Sequence, residues 1–187
     1  FTRIRCLVRS SRNVDKLRSM AANHDAQIEV LQGTLLAAHD CERACDQVSV
    51  IYHLAVGATG KSFPGAVMNV AVPTRNLLEA ATRLRPLPRF VNVSSFAVYS
   101  NRNKASGRLL DESCPVEERP QDRGDAYAYG KLKQDQLVDE YAKTTGMPCV
   151  TLRPGVVYGP GKSGITGRVG MDTFGFFMHL GGGNRIP

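Results

Sequence analysis

Apolar, β-branched runs alternate with segments of helical periodicity along this chain, and that alternation constrains the fold more than any other feature. A strand, a helix and a second strand in succession return the chain parallel to itself, so the pattern predicts an α/β fold: a parallel sheet with helices on both faces. Strands are expected at Arg3 to Arg9, Gln27 to Leu31, Val48 to Ala55, Arg89 to Val93 and Pro148 to Arg153. From Ala66 to Arg83, Val67, Val70, Thr74, Leu77, Leu78 and Ala81 recur at helical spacing, the stripe of a helix packed on a sheet. Pro73 lies inside that stripe and is expected to kink the helix or mark its true start.

Two long segments lack such periodicity. Phe96 to Gly124 is polar and rich in turn formers, a length at which loops tend to be functional. Gly155 to Gly170 holds six glycines and a proline and follows the last strand. Open α/β sheets bind ligands at the carboxyl ends of their strands, so both loops are expected to flank one crevice.

Composition narrows the function classes. The chain has 187 residues, 42% of them hydrophobic and 22% charged, which suits one domain with a full core. No apolar run approaches the ~18 residues of a membrane helix, and the N-terminal alternation of apolar and basic residues reads as a strand rather than a signal peptide. The net charge of +7 is spread along the chain with only 7% aromatic residues, which argues against a nucleic-acid partner. Cys6, Cys41, Cys45, Cys114 and Cys149 are scattered and odd in number, a usage that favours reduced thiols, a cytoplasmic location and no metal site.

Chemistry is suggested first by Asp125 to Lys133, which contains Tyr-x-x-x-Lys twice, as Tyr127 with Lys131 and as Tyr129 with Lys133. On a helix, positions four apart share a face. Tyr127, Lys131, Gln134, Val138 and Tyr141 run along one stripe, whereas Tyr129, Lys133, Gln136 and Glu140 form a wholly polar one suited to solvent. The first pair is therefore the candidate. A phenol titrates near pH 10 and is a poor acid or base at neutral pH unless a nearby cation stabilises its phenolate. A lysine one turn away supplies that cation. The second signal is Arg89 to Ser95, a strand ending in Ser94 and Ser95, where a hydroxyl can bond a substrate oxygen. Asn92-Val93-Ser94 also matches a glycosylation acceptor, but a buried strand is no acceptor.

Five blocks in order now carry a resemblance: Val50 to Ala55, Thr74 to Ala81, Phe90 to Tyr99, Tyr127 with Lys131, and Leu152 to Gly161. Together they resemble the NAD-dependent epimerase/dehydratase family, the extended class of short-chain dehydrogenases. The resemblance implies a Rossmann-like doubly wound parallel sheet. It implies Tyr127 as acid/base, Lys131 as its support and a ribose contact, and Ser95 as the residue orienting the reacting oxygen. Ser95 is preferred to Ser94 because the family's hydroxyl stands four residues before the tyrosine matched by Tyr99. Arg9, Thr34, Leu35, Leu54, Ala55, Val56, Asn69, Ser94, Pro154 and Val156 would join Tyr127 and Lys131 around the cofactor, with Asn69 one residue early for its match. Arg9 closes a strand where an acidic residue would bond the ribose of NAD and an arginine can pair with the 2′-phosphate of NADP, so NADP is favoured.

The sequence also departs from that family. It starts at the match to the second strand, so the first strand and its glycine-rich turn are expected to be absent and the sheet incomplete. Gly57-Ala58-Thr59-Gly60 is too irregular, with Phe63 and Pro64 beyond it, to replace that turn. Residues 1–187 are expected to be a partial NAD(P)-binding domain, with most of a substrate-binding subdomain missing and isolated dinucleotide binding weak. Gln32-Gly33-Thr34-Leu35 stands where the family usually carries Gly-Asp near adenine. Val156 replaces an asparagine common in nucleotide-sugar enzymes, which argues against a UDP-sugar. Gly161-Lys162-Ser163 ends like a phosphate-binding loop but lacks the glycine needed at 156. The expected activity is hydride transfer at a hydroxyl or carbonyl of a sugar-like or other small substrate, with a homodimer left open. A catalytically silent NADP-binding protein on the same fold is the rival, and the tyrosine and lysine argue against it.

Overall fold

A computed structural model describes residues 3–22, 27–57, 62–100, 109–157, 170–173 and 176–179. Strands β1 (Arg3–Val8) and β2 (Gln27–Gln32) pair in parallel, with helix α1 (Val14–Ala21) between them in the chain. After helix α2 (Ala38–Cys45), strands β3 (Val50–His53), β4 (Arg89–Val93) and β5 (Cys149–Leu152) form a second parallel sheet in the order β3-β4-β5. β1 pairs with β2 and not with β3, so the sheet is interrupted at the place where the family's first strand was expected to be absent. A short antiparallel pair, β6 (Gly170–Thr173) with β7 (Phe176–His179), was not anticipated from the sequence.

The expected strands are all present, but the third is shorter than Val48 to Ala55. Its ladder with β4 ends at the His53 and Asn92 partners, and Leu54 is 67% exposed beyond it. Apolar character alone does not show where a pairing partner ends. β1 and β5 likewise stop at Val8 and Leu152, each one residue short of the expected arginine.

The long helix begins earlier than periodicity suggests. Ser62 caps it, accepting from the Gly65 N–H at 3.2 Å, and α3 (Phe63–Ala66) leads through a π-helical turn (Val67–Ala71) into α4 (Val72–Ala81). Pro73 falls in the first turn of α4, directly after the π-helical turn, and the helix runs on through it. It lacks the N–H that would bond the carbonyl four residues earlier, and the Asn69 carbonyl instead accepts from the Gly57 N–H at 3.1 Å. The proline thus coincides with a π turn and an anchor for the loop after β3.

Helices α2, α4 and α5 (Ala126–Thr145) enclose one core with β4. Cys41, Cys45, Leu77, Leu78, Phe90 and Val138 are each at most 5% exposed within it. Burial pushes the Cys41 thiol up to about 11 and Cys45 up to about 12, so both serve as small apolar residues and not as nucleophiles. No group of metal-binding side chains occurs among the described residues, and none of their helices is long and apolar enough to cross a membrane. Residues 58–60 of the Gly57 to Gly60 string, Gly161-Lys162-Ser163 and most of the glycine-rich segment after Gly155 lie outside the described residues.

Candidate active site

Helix α5 presents the tyrosine and lysine because its ends are fixed. Gly124 adopts the left-handed conformation (φ 63°) that glycine accepts without strain, and Asp125 then caps the helix by accepting from the Ala128 N–H at 3.1 Å. One turn in, Gly130 lets the helix approach α3 closely. A Cβ there would lie 3.2 Å from Val70 and 3.3 Å from Ala66. Tyr127 sits at the mouth of a cleft and Lys131 is buried below it.

The Lys131 ammonium donates to the Val93 carbonyl and to Gln134 Oε1, both at 2.9 Å. An ammonium has three donors, so one remains without a protein partner among the described residues. Burial pulls the Lys131 pKa down, and the Asp135 carboxylate opposes that pull.

Strand β4 delivers Ser94 and Ser95 to the same place. Its exit is held to that of β5, since the Ser94 N–H donates to the Leu152 carbonyl at 2.8 Å and the Phe96 N–H to Pro154 at 3.1 Å. Ser95 Oγ accepts from the Ala97 N–H at 3.2 Å, leaving its own proton for a substrate oxygen. Arg123 ties this turn to the start of α5 by donating to the Ala97 and Tyr99 carbonyls at 2.8 and 3.2 Å. Sequence reading passed over Arg123, because an arginine in a polar loop looks like a solvated residue.

These elements bound a cleft of about 560 Å³ at the carboxyl ends of β3, β4 and β5. It brings together Leu54, Val56, Ser94, Ser95, Tyr127, Lys131, Pro154 and Val156 from the candidate set, and adds Phe96, Ala97, Gly155 and Val157. Apolar walls flanking hydroxyls and an ammonium suit a ring-bearing cofactor with a ribose, and the unpaired donor of Lys131 suits a ribose hydroxyl.

The remaining candidates lie elsewhere. Arg9 is exposed just past the end of β1, with exposed Arg12 close by in sequence. The Thr34 N–H donates to Asp40 Oδ2 at 2.9 Å, while Leu35 packs against the core and its carbonyl accepts from Asn76 Nδ2 at 2.8 Å. Asn69 braces the Gly57 loop, its side chain donating to the Gly65 carbonyl at 2.9 Å. Ala55 is exposed in the segment after β3 and does not line the cleft. Tyr129 is not among the cleft residues and packs at a tilt against Phe63, with ring centroids 5.0 Å apart and the Lys133 ammonium over the tyrosine ring. Asn92 is fully buried, so the glycosylation match is inaccessible in the folded chain.

His53, at the end of β3, is also buried and close enough to feel the Lys131 charge. Thr74 Oγ1 donates to the Val70 carbonyl at 2.7 Å, so it accepts from His53 Nε2 at 2.9 Å, which places the imidazole proton on Nε2. Burial first, and the Lys131 charge second, lower the His53 pKa from 6.5 to about 4. Between those values the unfolded chain binds a proton that the folded one does not. Stability is therefore expected to fall as pH drops through that window, by about 3 kcal/mol in all. Urea unfolding against pH checks this: His53→Gln should flatten that part of the profile, and an unchanged profile would assign the loss to other groups.

Parallel strands, crossing helices and a cleft where the strands end define a Rossmann-like α/β protein. The chain belongs to the NAD-dependent epimerase/dehydratase family, whose profile matches residues 4–173. It is 30% identical over 158 residues to a 3 beta-hydroxysteroid dehydrogenase/Delta 5-->4-isomerase of Mycobacterium tuberculosis, covering 80% of this chain and 41% of that enzyme. Among solved structures it is similar to UDP-glucuronic acid 4-epimerase from Bacillus cereus in complex with NAD. The TM-score is 0.57 at 27% identity, covering 79% of this chain and 44% of that one. It is also similar to dTDP-glucose 4,6-dehydratase from Streptomyces venezuelae, with a TM-score of 0.65 at 25% identity, covering 81% and 46%. The chain thus spans less than half the length of these relatives.

Proposed function

We propose that residues 1–187 form the cofactor-binding and catalytic part of an NAD(P)-dependent oxidoreductase, epimerase or dehydratase acting on a hydroxyl or carbonyl of a small substrate, sugar-like or other. Most of the substrate-binding subdomain would lie outside them. The observation carrying this reading is the shared cleft of Ser95, Tyr127 and Lys131. When bound, the nicotinamide cofactor supplies a reversible two-electron acceptor for a substrate carbon. Tyr127 exchanges the proton of the substrate oxygen, Ser95 donates a hydrogen bond that orients that oxygen, and Lys131 holds a positive charge beside the phenol and offers its remaining donor to a ribose hydroxyl. Leu54, Val56, Pro154 and Val156 supply the apolar walls against which the cofactor would lie.

The test is a screen of the full chain with alcohols, ketones and nucleotide sugars, using NAD and NADP in both directions. Turnover with any of them supports the reading, and cofactor binding without turnover across the screen would favour a binding protein instead.

NADP is the preferred cofactor in this reading, because Arg9 offers an exposed guanidinium where β1 ends. A charge-assisted contact with a phosphate is worth about 2 kcal/mol, so Arg9→Asp should weaken NADPH binding ~30-fold and leave NADH binding equal or tighter. Titration calorimetry with both cofactors reads this directly. Equal losses for the two would remove Arg9 from the selectivity.

A further inference from the structure

Helix α5 carries a second buried charge, one turn beyond Lys131. Asp135 is 3% exposed, a position at which an ionised carboxylate needs partners. Oδ1 accepts from Asn92 Nδ2 at 3.0 Å, and Oδ2 accepts from Arg153 Nε at 3.0 Å. The Arg153 guanidinium in turn lies 5.0 Å from the centre of the Tyr99 ring. Burial pushes the carboxyl pKa up, and the contacts with Arg153 and Asn92 offset part of that push.

These contacts fall on successive residues of one strand. Asn92 bonds Asp135 and the Val93 carbonyl bonds Lys131. Two side chains of α5 thereby hold the exit of β4, from which Ser95 follows, and Arg153 extends the hold to the exit of β5. The charged groups around Lys131 are few. Tyr127 and Asp135 share its helix, His53 lies near it at the end of β3, and Arg153, just past β5, reaches it only through Asp135. His53 adds no negative charge, so Asp135 is the anion that acts on the ammonium among these groups.

We propose that Asp135 is a positioning residue for the cleft: its bonds to Asn92 and Arg153 fix the separation between the β4 exit bearing Ser95 and the helix bearing Tyr127, and its carboxylate is the anion one helical turn from the buried Lys131 ammonium. This rests on the catalytic reading of that cleft for its consequence, whereas the bonds of Asp135 to Asn92 and Arg153 stand without it. Asp135→Asn keeps the shape and one acceptor but removes the charge.

Two readouts test the role. The first is the titration of Lys131 by NMR in selectively labelled protein, which needs no turnover. Asp135→Asn should release the Lys131 proton at lower pH than wild type, and Asp135→Glu should restore it. The second is kinetic. In the full chain with cofactor, kcat should fall ~10–100-fold in Asp135→Asn, with KM altered less, and the alkaline limb of the profile should move to lower pH. An unchanged Lys131 titration, or an unchanged kcat where Tyr127→Phe is inactive, would overturn the role. If the asparagine variant fails to fold, Lys131→Met is read instead by carbon NMR of Asp135. Charge coupling is reciprocal, so its carboxyl should protonate at higher pH than in wild type, and no change would equally overturn the proposal. Retained turnover in Tyr127→Phe would sink the catalytic reading while leaving the NMR result to stand by itself.

Discussion

Replacing Tyr127 by phenylalanine is expected to lower kcat by ~10²–10⁴-fold, the range a positioned acid or base contributes, while leaving unfolding by urea nearly unchanged. The ring stays, so packing at the mouth of the cleft is kept, and only the hydroxyl is lost. At 36% exposure Tyr127 is open to a ligand and contributes little to the core. Tyr129→Phe is the matched control. Its ring sits between Phe63 and Lys133, so the stacking survives loss of the hydroxyl and activity should stay within ~2-fold, a loss of under ~0.5 kcal/mol. Steady-state kinetics on both variants decides between the two tyrosines. A damaging Tyr129→Phe with a harmless Tyr127→Phe would reverse the assignment.

Phe90→Ala should be the most damaging single truncation for stability, at about 3–5 kcal/mol. Phe90 is fully buried in β4, with its ring 5.9 Å from that of His53 and helices α2, α4 and α5 around it. Both neighbouring strands pair with this one, so the surroundings cannot collapse into the void without disturbing two ladders. Denaturant unfolding measures the loss. A cost below about 1 kcal/mol would mean that the core relaxes far more than its packing suggests. Because β4 runs on into Ser94 and Ser95, cofactor binding should weaken together with stability.

Much of this protein was legible without coordinates, for a local reason. A strand of Phe90, Val91 and Val93, or the stripe of Leu77, Leu78 and Ala81, declares itself because burial selects residue types at the period of the backbone. The same holds for the helix bearing Tyr127 and Lys131. Four residues make nearly one turn, so the pair had to share a face, and the polar stripe of Tyr129 and Lys133 marked the other. What the chain kept hidden depends on partners far away in sequence. Arg123 reads as a loop residue until the Ala97 and Tyr99 carbonyls are seen in front of it. Asp135 reads as a polar helix position until Asn92 closes on it from β4 and Arg153 from the residue after β5. Pro73 read as a kink or a helix start, and only the folded chain shows the Asn69 carbonyl taking its bond from Gly57 instead. Sequence by itself determined the succession of elements and the face of α5 that carries the tyrosine and lysine, since both follow from backbone periodicity. Tertiary structure alone decided which polar groups hold that face to the strand ends, because a buried charge is recognisable only by the partners that folding brings to it.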